Sequence, residues 1–250
     1  MLHNYHTHTV RCEHALGTER EYIESAIKAG LQTLGFSDHA PYVEPVGDLP
    51  KHRVPIAKTE EYFQTIRDLK KEYEKDIRIL CGFELEYYPD YHKDEMAFLS
   101  AYKPDYLLLG QHFIANEATK TRAHEGKNDM LLMLYVTQVL AGLSTGDFLY
   151  LAHPDMAGYD YSEETWKREY RRLCEGAKRM DVPLEINLLG LRSGRWYPDE
   201  RFFKIAAEVG NKIVLGMDAH SPEGVSDRRG IEMAEQMIKK LGLHLVEKLI

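Results

Sequence analysis

An alternation limits the fold more than any other feature of this sequence. Short apolar or β-branched runs take turns with longer helix-periodic stretches along nearly the whole chain. The runs predict strands at 2–6, 33–37, 78–84, 106–109, 150–152, 184–187 and 212–217. The longer stretches predict helices at 19–29, 59–75, 92–101, 131–143, 163–179, 199–208 and 230–241, with Gly30 and Gly210 placed to cap two of them. Regular alternation of this kind means parallel βα units with right-handed crossovers. Seven strands fit an α/β fold of the TIM-like type, a distorted seven-stranded (β/α) barrel, with an open doubly wound sheet as the alternative. A chain of 250 residues suits one such domain over 1–250. No glycine-rich loop follows the first strand, which argues against a dinucleotide or P-loop nucleotide fold. The polar segment 114–129 reads either as a loop over a site or as an inserted, unstructured stretch.

Chemistry-bearing residues collect at the ends of these strands. His6 and His8 end the first, and residues two apart on a strand face the same side, so both imidazoles can reach one ion. His14 lies in the following loop. Asp38-His39 follows the second strand, Glu84 closes the third, His112 follows the fourth and His153 the fifth. Asn187 ends the sixth, and Asp218-Ala219-His220 repeats the two-residue spacing after the seventh. In a parallel barrel all these ends open on one face, where such folds build their sites. Imidazole with carboxylate suits zinc, manganese or iron, and a bridging carboxylate can join two ions. His6, His8, His14, His39, Glu84, His112, His153, Asp218 and His220 exceed the capacity of one tetrahedral ion, so two or three divalent ions are expected. One strand-end histidine alone is ordinarily a solvated or hydrogen-bonded residue; the convergence of so many is what carries the reading. His3, His52, His92, His124 and His244 keep the ordinary reading.

The remaining composition narrows the partners. A net charge of −8 argues against a broad nucleic-acid surface, and Lys120, Arg122 and Lys127 form only a small basic cluster. No apolar run approaches the roughly 18 residues that span a membrane. Cys12, Cys81 and Cys174 are too few and too scattered for a disulfide framework. They read as free thiols of a cytoplasmic protein, and no leader is expected ahead of a motif that begins at residue 6. Oligomeric state is not legible.

Taken in order, His6-Thr7-His8, His14, Ser37-Asp38-His39, Gly82-Phe83-Glu84, His112, Ala152-His153-Pro154 and Asp218-Ala219-His220 resemble the motifs of the polymerase and histidinol phosphatase (PHP) superfamily. The resemblance implies a trinuclear centre: one ion on His6, His8, Glu84 and Asp218, a second on Glu84, His112 and His153, a third on His14, His39 and His220. The stretch from Glu185 through Asn187, Arg192 and Arg195 to Pro198 looks most like the stand-alone histidinol-phosphate phosphatases, in which a similar segment supplies arginine to phosphate. Metal-dependent hydrolysis of a small phosphate monoester is therefore expected, with L-histidinol phosphate as the first candidate. Another small phosphorylated metabolite or a short nucleotide is the alternative, and a catalytically silent metal-binding regulatory module the reading from another class. Glu84, Asp38, Asp218 and His220 are the candidate catalytic groups, Asp38 either as an anchor for its neighbour or as the acid that protonates the leaving alkoxide. Arg192 and Arg195 are the candidate phosphate clamp, Arg192 being nearer the strand end, and Asn187 a candidate substrate contact. Tyr42, Phe113, Trp196 and Tyr197 offer an aromatic wall. Gln111, where many of these phosphatases carry a small residue, is expected to narrow the pocket or change the substrate.

Overall fold

The computed structural model describes residues 1–43, 52–126, 128–158 and 160–250. Eight strands run in chain order through one parallel sheet: β1 (His3–Asn4), β2 (Thr33–Phe36), β3 (Arg78–Leu85), β4 (Tyr106–Leu109), β5 (Tyr150–Leu151), β6 (Leu184–Asn187), β7 (Lys212–Gly216) and β8 (His244–Leu245). The sheet is curled. Just beyond the ends of β1 and β7 a parallel bridge joins Thr7 to Ala219, with His8 N donating to Ala219 O at 2.9 Å. The first and seventh strands thus meet on the side where the metal-ligand candidates cluster. The eighth strand, unforeseen from sequence, is two residues long and pairs only with the start of β7.

Helices α1 (Glu19–Ala29), α2 (Thr59–Glu72), α3 (His92–Ser100), α4 (Asp129–Leu143), α5 (Glu163–Arg179), α6 (Leu188–Ser193), α7 (Glu200–Val209) and α8 (Arg228–Leu241) connect the strands. Their ends follow local chemistry. Thr18 and Glu21 form a reciprocal capping box on α1, and Gly30 closes that helix at φ 84°, a left-handed angle that glycine adopts without steric cost. Gly210 closes α7 in the same way at φ 79°.

Alternation along the strands splits the core in two. Tyr5, Leu80, Tyr106, Leu108, Tyr150, Ala152 and Val214 form an inner cluster, with Leu249 and Ile250 packed against it. Ile79, Phe83, Leu107, Leu109, Leu151, Ile186 and Leu215 face the other way and pack with the helices. Two glycines make room for buried carboxylates within this frame. A Cβ on Gly110 would overlap Glu84 Oε1, and one on Gly216 would overlap Glu185 Oε1.

Candidate metal centre

All nine candidate ligands meet at the end of the sheet where its strands terminate. His6, His8, Glu84 and Asp218 form the deepest group, each under 5% exposed. His6 Nε2 lies 3.1 Å from His8 Nε2, 3.3 Å from Glu84 Oε2 and 3.5 Å from Asp218 Oδ1. His8 Nε2 lies 3.3 Å from both carboxylates. In a tetrahedron with metal–ligand bonds of about 2.0–2.1 Å the ligand atoms lie about 3.3–3.4 Å apart, and each of the two carboxylates stands at close to that distance from both imidazole nitrogens. His153 Nε2 is 2.8 Å from the other Glu84 oxygen, and His112 Nε2 is 3.7 Å from it. His39 Nδ1 is 3.3 Å from Glu84 Oε2. Both Glu84 oxygens therefore face imidazole nitrogens, the placement of a carboxylate that bridges two ions. His14 and His220 face each other at 2.9 Å between Nε2 atoms, and the His39 ring stacks on His14 at 5.2 Å. His39 thus stands between the second and third ligand sets instead of belonging only to the third.

Second partners show which nitrogen is aimed inward. His6 Nδ1 is 2.8 Å from Glu185, His112 Nδ1 is 2.8 Å from Glu86, His14 Nδ1 is 3.0 Å from Cys12 O and His220 Nδ1 is 3.0 Å from Asp218 O. A carbonyl oxygen or carboxylate only accepts, so Nδ1 carries the proton and Nε2 presents a lone pair. The Nε2 lone pairs of His14 and His220, facing each other at 2.9 Å, repel unless a cation lies between them. Burial pushes the His220 pKa down to about 3, with the charge of His8 adding to it, and burial likewise holds His39 well below the usual value, so both stay neutral donors. Burial also acts to lower the His6 pKa, but the charges of Glu185, Asp218 and Glu84 outweigh it and raise it to about 10. Glu84 and Asp218 are held well below the carboxylate range: burial acts to raise them, and the surrounding imidazoles prevail. Buried Asp218 Oδ1 has no hydrogen-bond partner. Ionised carboxylates among convergent imidazoles, with His14, His39 and His220 neutral, fit divalent cations.

The backbone is bent to deliver these groups. His153 and Asp218 adopt φ of 30° and 45°, left-handed angles that cost a non-glycine residue about 1–2 kcal/mol each. Glu185 accepts from His153 N at 2.9 Å, and Asn187 Nδ2 donates to Asp218 Oδ2 at 3.1 Å, which secures both turns. Strand-period reasoning passed over Glu185 and Glu86, although each lies two residues from a flagged position, Asn187 and Glu84, and so on the same strand face.

A cavity of about 400 Å³ opens over the centre. Its outer wall is Phe113, Met156, Leu189, Trp196 and Tyr197, with Arg53, Arg122 and Arg195 at its edges. His52 and His124 line it too, the second on a loop whose sequence already allowed it to fold over the pocket, the first against the ordinary reading. His3 and His92 do have ordinary partners, Thr33 and Asp147. The structure separates the two arginines expected to clamp phosphate. Arg195 reaches the cavity, its guanidinium held by the Tyr197 hydroxyl at 2.5 Å. Arg192 does not line it, because its guanidinium donates to Met217 O at 2.7 Å and Asp218 O at 2.8 Å. Asn187 is also turned away from substrate: its Oδ1 caps α6 through Gly190 N at 3.0 Å. Asp38 accepts from Thr9 N at 2.6 Å and Thr9 Oγ1 at 2.7 Å, fully buried, so it anchors the turn after His8 and has no path to a leaving group. Gln111 is fully buried, tied to Tyr87 N and Phe113 O, and does not narrow the cavity. Tyr42 lies under Arg53, outside the cavity wall. Between Ile114 and Gly126 the chain forms two short 3₁₀ turns over the site, fastened by Ala123 N to His112 O at 2.7 Å, so this stretch is a folded loop and not an unstructured insertion. Lys127 lies outside the described residues.

A curled parallel βα sheet with imidazoles and carboxylates converging at its strand ends defines a metal-dependent hydrolase of the barrel type. A sequence profile of the PHP domain matches residues 4–188, and the chain belongs to that family. A histidinol-phosphatase of Bacillus subtilis is 32% identical over 246 residues, covering 86% of this chain and 92% of the relative. Among solved structures, one from Listeria monocytogenes superimposes with TM-score 0.76 at 21% identity, over 92% of this chain and 99% of the other. The histidinol phosphate phosphatase of Lactococcus lactis, solved with zinc, L-histidinol and phosphate, superimposes with TM-score 0.73 at 20% identity, over 98% and 95%. Both share the fold.

Proposed function

We propose that this chain is a metal-dependent phosphatase that hydrolyses L-histidinol phosphate to L-histidinol and phosphate. The carrying observation is the convergence of His6, His8, Glu84 and Asp218 under a cavity edged by Arg195. The substrate follows from the Bacillus subtilis relative, whose match spans most of both chains. His6, His8, Glu84 and Asp218 would hold one divalent ion, Glu84 with His39, His112 and His153 a second, and His14 with His220 a third; zinc, manganese and iron all suit these donors. Such ions supply a hydroxide at neutral pH and positive charge opposite the phosphoryl oxygens.

The chain's own residues do the rest. Arg195, oriented by Tyr197, grips phosphate in a two-pronged fork and stabilises the charge that spreads over its oxygens in the transition state. Phe113, Trp196 and Tyr197 wall the space left for a flat leaving group and exclude water from it. Asp38, Asn187 and Arg192 hold the ligand turns still. A reducing cytoplasm suits the three buried free thiols.

The test is a panel of phosphate monoesters assayed with metal-analysed protein. Rapid turnover of L-histidinol phosphate above all others is expected. Turnover confined to nucleotides or sugar phosphates would reassign the substrate, and none at all with full metal loading would leave a silent metal-binding module.

A further inference from the structure

Behind His112 lies a buried charge network that the hydrolytic chemistry does not use. Glu86, 3% exposed, accepts from both the backbone N of His112 at 3.1 Å and its Nδ1 at 2.8 Å. Its second oxygen takes the Tyr88 hydroxyl and faces Arg53 at 3.3 Å. Arg53 pairs in addition with Glu117, 2% exposed, donates to Ala40 O at 3.2 Å and lies 4.1 Å over the Tyr42 ring. One guanidinium therefore fastens the loops that follow β2, β3 and β4. The loop after β4 carries Arg122 and His124 to the cavity and is bonded to His112 O through Ala123.

Two buried carboxylates repel unless cations lie beside them, and among the described residues Arg53 is the permanent cation paired with both. Glu86 is thereby kept as an acceptor for the Nδ1 proton of His112, which leaves Nε2 facing Glu84. The His112 ring is 24% exposed and otherwise meets the edges of the His39 and His153 rings, which leaves its Nδ1 bond to Glu86 as its polar anchor.

We propose that Arg53, Glu86 and Glu117 form a positioning latch that seats the loop after β4 and aims His112, so that metal affinity at the His39–Glu84–His112 corner depends on a loop contact. The latch rests on the metal-binding part of the proposed function and is indifferent to the substrate. Glu117 touches Arg53 and Tyr88, so its effect on metal must pass through them.

Zinc-loaded wild type, Glu86→Gln, Glu117→Gln and Arg53→Lys would be titrated with a competing chelator, and each metal-free form melted in parallel. One zinc equivalent is expected to weaken by about 10–100-fold in Glu86→Gln, as for other partners of metal-bound histidine. The same equivalent should weaken to a smaller extent in Glu117→Gln and Arg53→Lys, with the other equivalents and the metal-free melting temperature unchanged. Equal zinc affinities in Glu117→Gln and wild type would overturn the latch, as would a uniform loss of all equivalents accompanied by a lower metal-free melting temperature, which marks general packing. Wild type that binds no zinc would overturn the metal centre itself, a result visible in the same titration.

Discussion

Arg192 and Arg195 are three positions apart and have opposite uses. One is committed to the carbonyls of Met217 and Asp218, the other to the cavity. Arg195→Ala should lower kcat/KM for the phosphate monoester by about 10–100-fold, the worth of one charge-assisted hydrogen bond of about 1.5–3 kcal/mol, with metal content unchanged. Arg192→Ala should instead lower metal content, because the turn that presents Asp218 loses its support. Metal analysis beside steady-state kinetics separates the two, and identical behaviour would refute the division of roles. Sequence could not make this distinction, since both residues follow the same strand and differ only in where α6 turns them. The convergence of these side chains was legible because they follow successive parallel strands, whose ends open on one face; His6, His8, Asp218 and His220 themselves lie just past the ends of β1 and β7. The two-residue period of a strand finds Glu86 from Glu84 and Glu185 from Asn187. It was not followed there because a lone glutamate in a strand more often pairs with a surface cation.

Among the elements, α6 escaped prediction because Leu-Leu-Gly-Leu-Arg-Ser is too short for helical periodicity to register; its Asn187 cap was visible but also read as a substrate contact. The first seven strands and seven of the helices were legible from period and punctuation, with ends displaced by at most three residues. Helix α3 carries a consequence of its own. Its Glu95 is 2% exposed, accepts from Val43 N at 3.2 Å with one oxygen and leaves the other unpartnered. Burial raises its pKa from 4.5 to about 7. A carboxyl raised in the folded state contributes stability that is fully present below pH 4.5 and lost as pH rises through about 7. Glu95→Gln, which cannot ionise, should therefore be more stable than wild type at pH 8, by up to about 3 kcal/mol, with the gap closing toward pH 5. Denaturant unfolding at the two pH values checks this, and an equal gap at both would contradict it.

For the molecule as a whole, the candidate ligand cluster buries ionised carboxylates that, without divalent cations, only protonated imidazoles offset. Ligands that bind only the folded state stabilise it by mass action, by about 4 kcal/mol at a thousandfold excess over Kd. Stripping metal should therefore lower the melting temperature by about 8–16 °C in a chain of this size, and readdition should restore it. Calorimetry with and without chelator reads the shift, and an unchanged transition would mean that the cluster needs no cation. Strand–helix alternation made the parallel βα units legible and left barrel and open sheet as alternatives, between which the family resemblance chose. The join between Thr7 and Ala219 was not legible, because no local pattern announces a contact between opposite ends of a sheet. That join also orders events in time. His14 and His220 are 206 residues apart, and the chain emerging from a ribosome carries its first histidines long before their partners have been made. Divalent-metal capture by the proposed ligand set would thus be a last act of folding, and metal uptake during refolding should lag the collapse of the helices and serve as a clock for the closing of the barrel.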